Sequence, residues 1–186
     1  MVRLCLSLVV LSLIACAGPS RVSLDEQGLY HFEAVPFRVE APQACMENMS
    51  VQAGEGSVRF TTGRNNWKAD GDYRIEIYNV PGVGEDRDRF EAIVEQAFRD
   101  TMADAGNSIK STEYVSINGR PAFQGLASDE SIAMVLGTNI LFPDHIVMVQ
   151  LLYPSVPGED DVEDLPWECH QRFVESIELV SAEQFH

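Results

Sequence analysis

The stretch IKSTEYVSINGRPAFQGLAS (Ile109–Ser128) carries Asn118-Gly119 between two runs of alternating apolar and polar residues. A two-residue type I′ turn needs positive φ at both central positions, and Asn-Gly adopts it at little cost. The stretch therefore reads as a β-hairpin. Pro121 has no N–H to donate, so its strand is expected to present that side to an edge or a bulge. Immediately before the hairpin, EDRDRFEAIVEQAFRDTMADAG (Glu85–Gly106) repeats apolar residues at steps of three and four, namely Phe90, Ile93, Val94, Ala97, Phe98, Met102 and Ala105. That spacing predicts an amphipathic helix, with Asp86 or Asp88 capping its start and Gly106 ending it.

Working outward, SIAMVLGTNILF (Ser131–Phe142) and HIVMVQLLY (His145–Tyr153) flank Pro143-Asp144. Their near-continuous hydrophobicity predicts a second hairpin, central in its sheet and covered on both faces. Towards the N-terminus, LYHFEAVPFRVEAP (Leu29–Pro42), SVRFTT (Ser57–Thr62) and DYRIEIYNV (Asp72–Val80) alternate with period two between Gly- and Asn-rich breaks, which predicts strands. The closing EDDVEDLPWECHQRFVESIELV (Glu159–Val180) reads as an acidic entry, Pro166 in a first helical turn, and a helix placing Leu165, Cys169, Phe173 and Ile177 on one face. Strands, helix, two hairpins, helix: the fold expected is α+β, a mostly antiparallel sheet packed with two main helices.

This layout resembles the PsbP-like group, the fold of the photosystem II extrinsic P-subunit and its bacterial relatives. The parts that carry the resemblance are the helix Phe90 to Ala105, the VSINGRPA hairpin, the long paired strands and the closing FVESIELV. It extends from Leu29 to Val180. The resemblance implies a PsbP-like sandwich acting as an accessory or assembly subunit on a larger complex, with no common catalytic residue to carry over.

At 186 residues, 45% hydrophobic and 23% charged, the chain has room for one ordinary globular domain. Its 13 Lys and Arg against 29 Asp and Glu leave a net charge of −16, with the acids spread along the chain. Such a surface repels phosphate backbones, so nucleic acid is not an expected partner.

The first residues decide where the domain is expected to work. MVRLCLSLVVLSLIAC places Arg3 ahead of an apolar run from Leu4 to Ile14. Eleven helical residues rise only about 16 Å, too little to span a bilayer. The order of charged start, short apolar middle and small residue is that of a secretory signal. Leu13-Ile14-Ala15-Cys16 further resembles the lipobox of bacterial lipoproteins. That resemblance implies cleavage before Cys16 and a lipid on its thiol, and Ala17-Gly18 are compatible with export to the outer membrane. The organisation expected is thus a signal peptide over 1–15, a lipidated cysteine and tether over 16–27, and one α+β domain over 28–186. The tether, AGPSRVSLDEQ, reaches at most about 40 Å when extended, which keeps the domain close to its membrane.

With Cys5 removed alongside the signal and Cys16 carrying lipid, Cys45 and Cys169 remain, 124 positions apart. An even number in an exported chain reads as a disulfide, with two buried free thiols as the alternative. No CxxC spacing is present, which argues against a redox pair or a zinc knuckle.

Chemistry is otherwise sparse. There is no GxSxG, no HExxH and no phosphate loop, and Gly54-Glu55-Gly56 reads as a turn. His31, His145, His170 and His186 are scattered, which favours structural or solvated roles. The acids between Glu159 and Asp164 lack the DxDxDG layout and suit a helix entry. Trp67 sits in a polar, turn-rich setting, either tucked under the sheet or open to a ligand or partner; Trp167 reads as a helix anchor. No catalytic residue, cofactor or metal is expected. The expected function is a non-enzymatic, periplasm-facing accessory or interaction module on an envelope protein partner, held to the outer membrane by lipid. A module binding a small apolar or lipid ligand in a cleft between helix and sheet is the alternative.

Overall fold

A computed structural model describes residues 22–32, 37–40, 49–54, 56–62, 72–128, 133–154 and 167–180. The signal peptide, Cys16 and most of its tether, Cys45, Trp67 and the acidic run before Pro166 lie outside these residues. Among the described residues no helix is long and apolar enough to cross a membrane.

The described residues form eleven strands in two sheets. The smaller takes β1 (Val22–Leu24), β2 (Leu29–Phe32), β3 (Phe37–Glu40) and β11 (Glu178–Leu179), in that order. The larger comprises β4 (Met49–Gly54), β5 (Ser57–Thr62), β6 (Asp72–Asn79), β7 (Ser108–Ile117), β8 (Arg120–Ser128), β9 (Ala133–Leu141) and β10 (His145–Pro154). Its order is β4-β5-β6-β10-β9-β8-β7. Every described pairing is antiparallel. Two helices, α1 (Arg87–Asp104) and α2 (Trp167–Glu175), complete the α+β architecture that the sequence predicts. The second, smaller sheet is an addition to that expectation.

The local signals act as their chemistry requires. Asn118 and Gly119 take φ of 49° and 75°, so the β7–β8 turn has both residues left-handed. Asp86 caps α1, its carboxylate accepting from the Arg89 N–H at 2.9 Å, and Gly106 with φ 74° follows the helix end. Pro121 departs from expectation, because its strand is interior to the sheet. The ladder to β9 begins only at Ala122, so the missing N–H falls before any bond is lost.

Side chains alternate across the large sheet and make two apolar layers. On one face Phe60, Tyr73, Ile75, Leu136, Val149 and Leu151 meet Phe32 and Phe37 of the small sheet and Phe173 of α2. Aromatic contacts dominate there, with Phe60 and Tyr73 centred 5.6 and 4.5 Å from Phe173. On the other face Phe90, Val94, Phe98 and Met102 of α1 pack against Phe123, Ala127 and Val135. The molecule is thus three layers: α1, the large sheet, and the small sheet with α2.

Candidate functional site

The large sheet is wider than the helix that covers it. α1 contacts β7, β8 and β9 and closes over Ile146 at the start of β10; among the described residues the same face of the rest of β10 and of β6, β5 and β4 is left open. Register fixes what that open half presents. From β6 come Asp72, Arg74, Glu76 and Tyr78; opposite them on β10 stand Leu152, Gln150, Met148 and, buried under α1, Ile146. On the other side Arg59 of β5 lies directly against Arg74, and Ser57 against Glu76. Tyr78 and Leu152 are each 46% exposed, two of the large apolar side chains left in solvent. The sequence predicts β10 as covered on both faces. The structure corrects this: Val147, Val149 and Leu151 are buried, whereas Met148 and Gln150 are only partly so and Leu152 is open.

Where α1 ends its cover, a cleft of about 290 Å³ runs between Ile93, Ala97 and Thr101 of the helix and Tyr78, Ile146 and Met148 of the sheet, with Gly137 and Asn139 also lining it. It continues past Arg74, Thr101 and Gln150 into a more open groove of about 700 Å³. Gln52, Ser57, Arg59, Asp72 and Asn107 line that second part. The cleft is mostly apolar; the groove mixes these polar side chains with Ala53, Val58, Met102 and Leu152.

The seating of α1 that shapes the cleft depends chiefly on the first of two paired glycines. Gly125 and Gly137 are cross-strand partners under the Phe98 ring, and a Cβ on Gly125 would fall 2.5 Å from Phe98 Cε1. On Gly137 the nearest ring atom would be 3.2 Å away. At the far edge the Tyr114 hydroxyl donates to Glu95 at 3.2 Å, fastening α1 to β7. Hydrogen bonds from Arg99 and then Tyr114 hold the Glu95 carboxyl below its ordinary range.

Charges within the open half are matched locally. Arg59 Nη2 lies 2.6 Å from Asp72, Arg74 pairs with Glu76, and the Tyr78 hydroxyl donates to Glu76 at 2.5 Å. Burial first, then the bond to Glu76 and its charge, push the Tyr78 hydroxyl up to about 12, so it stays a donor at neutral pH.

A second polar constellation lies on the opposite side of the sheet, and the sequence gives no hint of it. Gln124 Nε2 donates to Thr138 Oγ1 at 3.2 Å, and Thr138 Oγ1 is 2.8 Å from His170 Nε2. The His170 ring stacks on Tyr73 at 5.8 Å with 10° between planes. His170 Nδ1 and the Tyr73 hydroxyl are buried without a hydrogen-bond partner. Burial lowers the His170 pKa from 6.5 to about 3, so the ring is neutral. A hydroxyl beside a neutral imidazole has the composition of a nucleophile and its base. Both residues are at 0% exposure, however, so no substrate reaches them. The chain's work is structural: it ties α2 to β8 and β9 through an otherwise apolar layer.

The other described residues singled out by sequence do not converge, and His186 lies outside the described residues. His31 of β2 pairs at 2.7 Å with Asp25 of the β1–β2 turn, and His145 sits at the start of β10. Among the described residues no three His, Cys, Asp or Glu side chains are grouped to hold a metal ion. Cys169 lies half-buried on α2; its expected partner Cys45 and the lipidation residue Cys16 are outside the described residues. Trp167 packs at the rim of both α2-side clusters, consistent with an anchoring role.

No family model matches this chain, and no curated protein matches it. Solved structures do. The Ran-binding protein Mog1p of Saccharomyces cerevisiae aligns over 90% of this chain and 98% of its own, at 11% identity and a TM-score of 0.52. At that identity the likeness is one of fold. Cyanobacterial PsbP from Synechocystis aligns over 90% of this chain and 98% of its own at 14% identity and a TM-score of 0.47. A protein from Bacteroides thetaiotaomicron aligns at 12% identity and 0.40, this chain spanning 50% of its length and matching over 89% of its own.

Proposed function

We propose that this chain is a non-enzymatic interaction module of the cell envelope, and that the open half of its large sheet is the contact surface. The observation that carries the proposal is the mismatch between a seven-stranded sheet and one helix that covers β7, β8, β9 and only the start of β10. The uncovered strands present a tyrosine, two arginines, a methionine and a leucine, and Tyr and Arg are side chains enriched at binding hot spots. Mog1p, which has this fold, is named for binding Ran, and that supports a protein-binding use.

In this proposal the module is held to the periplasmic side of the outer membrane by lipid on Cys16, through the short tether after it. A Cys45–Cys169 disulfide fixes the segment before β4 to α2. The lipobox match and the remaining cysteine pair support both assignments. Intact mass of the membrane-extracted protein tests the anchor: added lipid mass on a chain beginning at Cys16 is expected, and a mature chain without it refutes the anchor. The contact surface is tested by affinity capture from solubilised membranes with wild type and a Tyr78→Glu/Leu152→Glu variant. A protein recovered repeatedly with wild type and lost with the variant is expected. Equal recovery refutes the surface.

A second reading, binding of a small ligand, is favoured by the apolar cleft between α1 and the sheet. Its volume is close to the lower end of small-molecule sites, roughly 300 Å³.

A further inference from the structure

We infer that the cleft beside α1 takes a single-chain amphiphile with an anionic head, its apolar chain along Ile93, Ala97 and Met148 and its head on Arg74 and Arg59. The inference rests on the small-ligand reading and names the ligand's chemistry.

Like charges directly opposite each other across a strand pair destabilise a sheet. Arg59 and Arg74 are such a pair, in a chain whose net charge is −16. They lie in the groove that the apolar cleft opens into, and Arg74 lines both. Their side chains are 55% and 57% exposed, so neither is there to fill a core. Each has one carboxylate beside it, Asp72 on Arg59 and Glu76 on Arg74. A guanidinium carries five N–H donors in a planar fork, so each arginine keeps donors for a further anion. The amides of Gln52, Gln150 and Asn107 line the same groove and add neutral donors.

The balance of charge sets the kind of anion. With two arginines and two carboxylates the head region is locally neutral, and the surrounding protein is strongly acidic. One added negative charge is accommodated there, whereas a polyanion meets repulsion from Asp72, Glu76 and the wider surface. The other end of the site is apolar, built from Ile93, Ala97, Ile146 and Met148. Burying a hydrocarbon chain there is favourable because it removes apolar surface from water. Head and chain specificity therefore come from different elements, β5 and β6 for the first and α1 and β10 for the second.

Calorimetric titration of the full chain in amphipol with decanoate, decanol and decylamine, against an amphipol blank, tests this. The expected result is decanoate binding at least tenfold tighter than decanol or decylamine. Arg74→Gln and Arg59→Gln should each weaken decanoate about tenfold and leave decanol unchanged. Ala97→Trp, at an exposed helix position, should abolish binding of decanoate, with helix content by circular dichroism unaltered. Equal binding of decanoate and decanol, indifferent to both arginine variants, overturns the anionic head and leaves the ligand-binding reading standing. Tighter binding of decylamine also overturns it, since Asp72 and Glu76 would then set the preference. Absence of heat with all three ligands overturns the ligand-binding reading itself.

Discussion

Replacing Gly125 by alanine should loosen the one helix that shapes the site. The new Cβ falls 2.5 Å from Phe98 Cε1, and carbon atoms make favourable contact at about 3.5–4.0 Å, so the ring or the helix must move by about 1 Å or more. Phe98 is 5% exposed and packs against Phe123 at 5.7 Å, so moving the ring disturbs the packing of α1 on β8. Overpacking of this kind costs about 1–3 kcal/mol. Removing a strand glycine returns about 0.5–1 kcal/mol. A net loss of about 1–2 kcal/mol is expected for Gly125→Ala, read from the midpoint of urea unfolding followed by circular dichroism. At Gly137 the corresponding approach is 3.2 Å, so alanine there should be close to neutral. Phe98→Leu shortens the ring to an aliphatic chain and should make Gly125→Ala neutral or stabilising, a coupling of about 1 kcal/mol or more in the double-mutant cycle. Gly125→Ala as stable as wild type, with no coupling to position 98, would refute the close seating of α1 on β8.

Protonation of His170 offers a test on the opposite side of the sheet. Its folded pKa of about 3 lies below the ordinary 6.5, so the unfolded chain binds the extra proton between these values and stability falls as pH drops through that window. His170→Phe, which keeps the stack on Tyr73, should flatten the slope by one proton, about 1.4 kcal/mol per pH unit; an unchanged slope rejects the buried neutral imidazole. Asp86→Ala removes the α1 cap and should cost about 1 kcal/mol in the same urea assay, and a cost under 0.3 kcal/mol rejects the cap. Reduction of the proposed Cys45–Cys169 bridge releases a long-loop constraint worth about 5 kcal/mol before strain, so dithiothreitol should lower the melting temperature sharply. A non-reducing digest yielding no linked peptide excludes the bridge.

Those elements with a local cause could be read from the sequence. Asn118-Gly119, Asp86 and Gly106 each impose their conformation through their own backbone or side chain, and strands β5 and β6 declare themselves by period two. The site was less legible because it depends on what does not cover a strand. β10 reads MVQLL through its middle, and that run is equally consistent with a strand buried on both faces and one whose Met148, Gln150 and Leu152 face a groove. Periodicity reports that a face is apolar, and only the width of the helix against the sheet determines whether it is closed. The Arg59–Arg74 juxtaposition needs cross-strand register, which the sequence between Thr62 and Asp72 does not specify. Thr138 and His170 are 32 positions apart on different elements, beyond the reach of any spacing motif.

Crosslinking in intact cells tests the contact surface most directly. A photoreactive residue placed at Leu152 or Tyr78, on the open half of the sheet, is compared with one at Lys110 on the outer edge strand β7. The account predicts a discrete crosslinked protein species from positions 152 and 78 and none from position 110. The same species from all three positions, or one from position 110 alone, would contradict it.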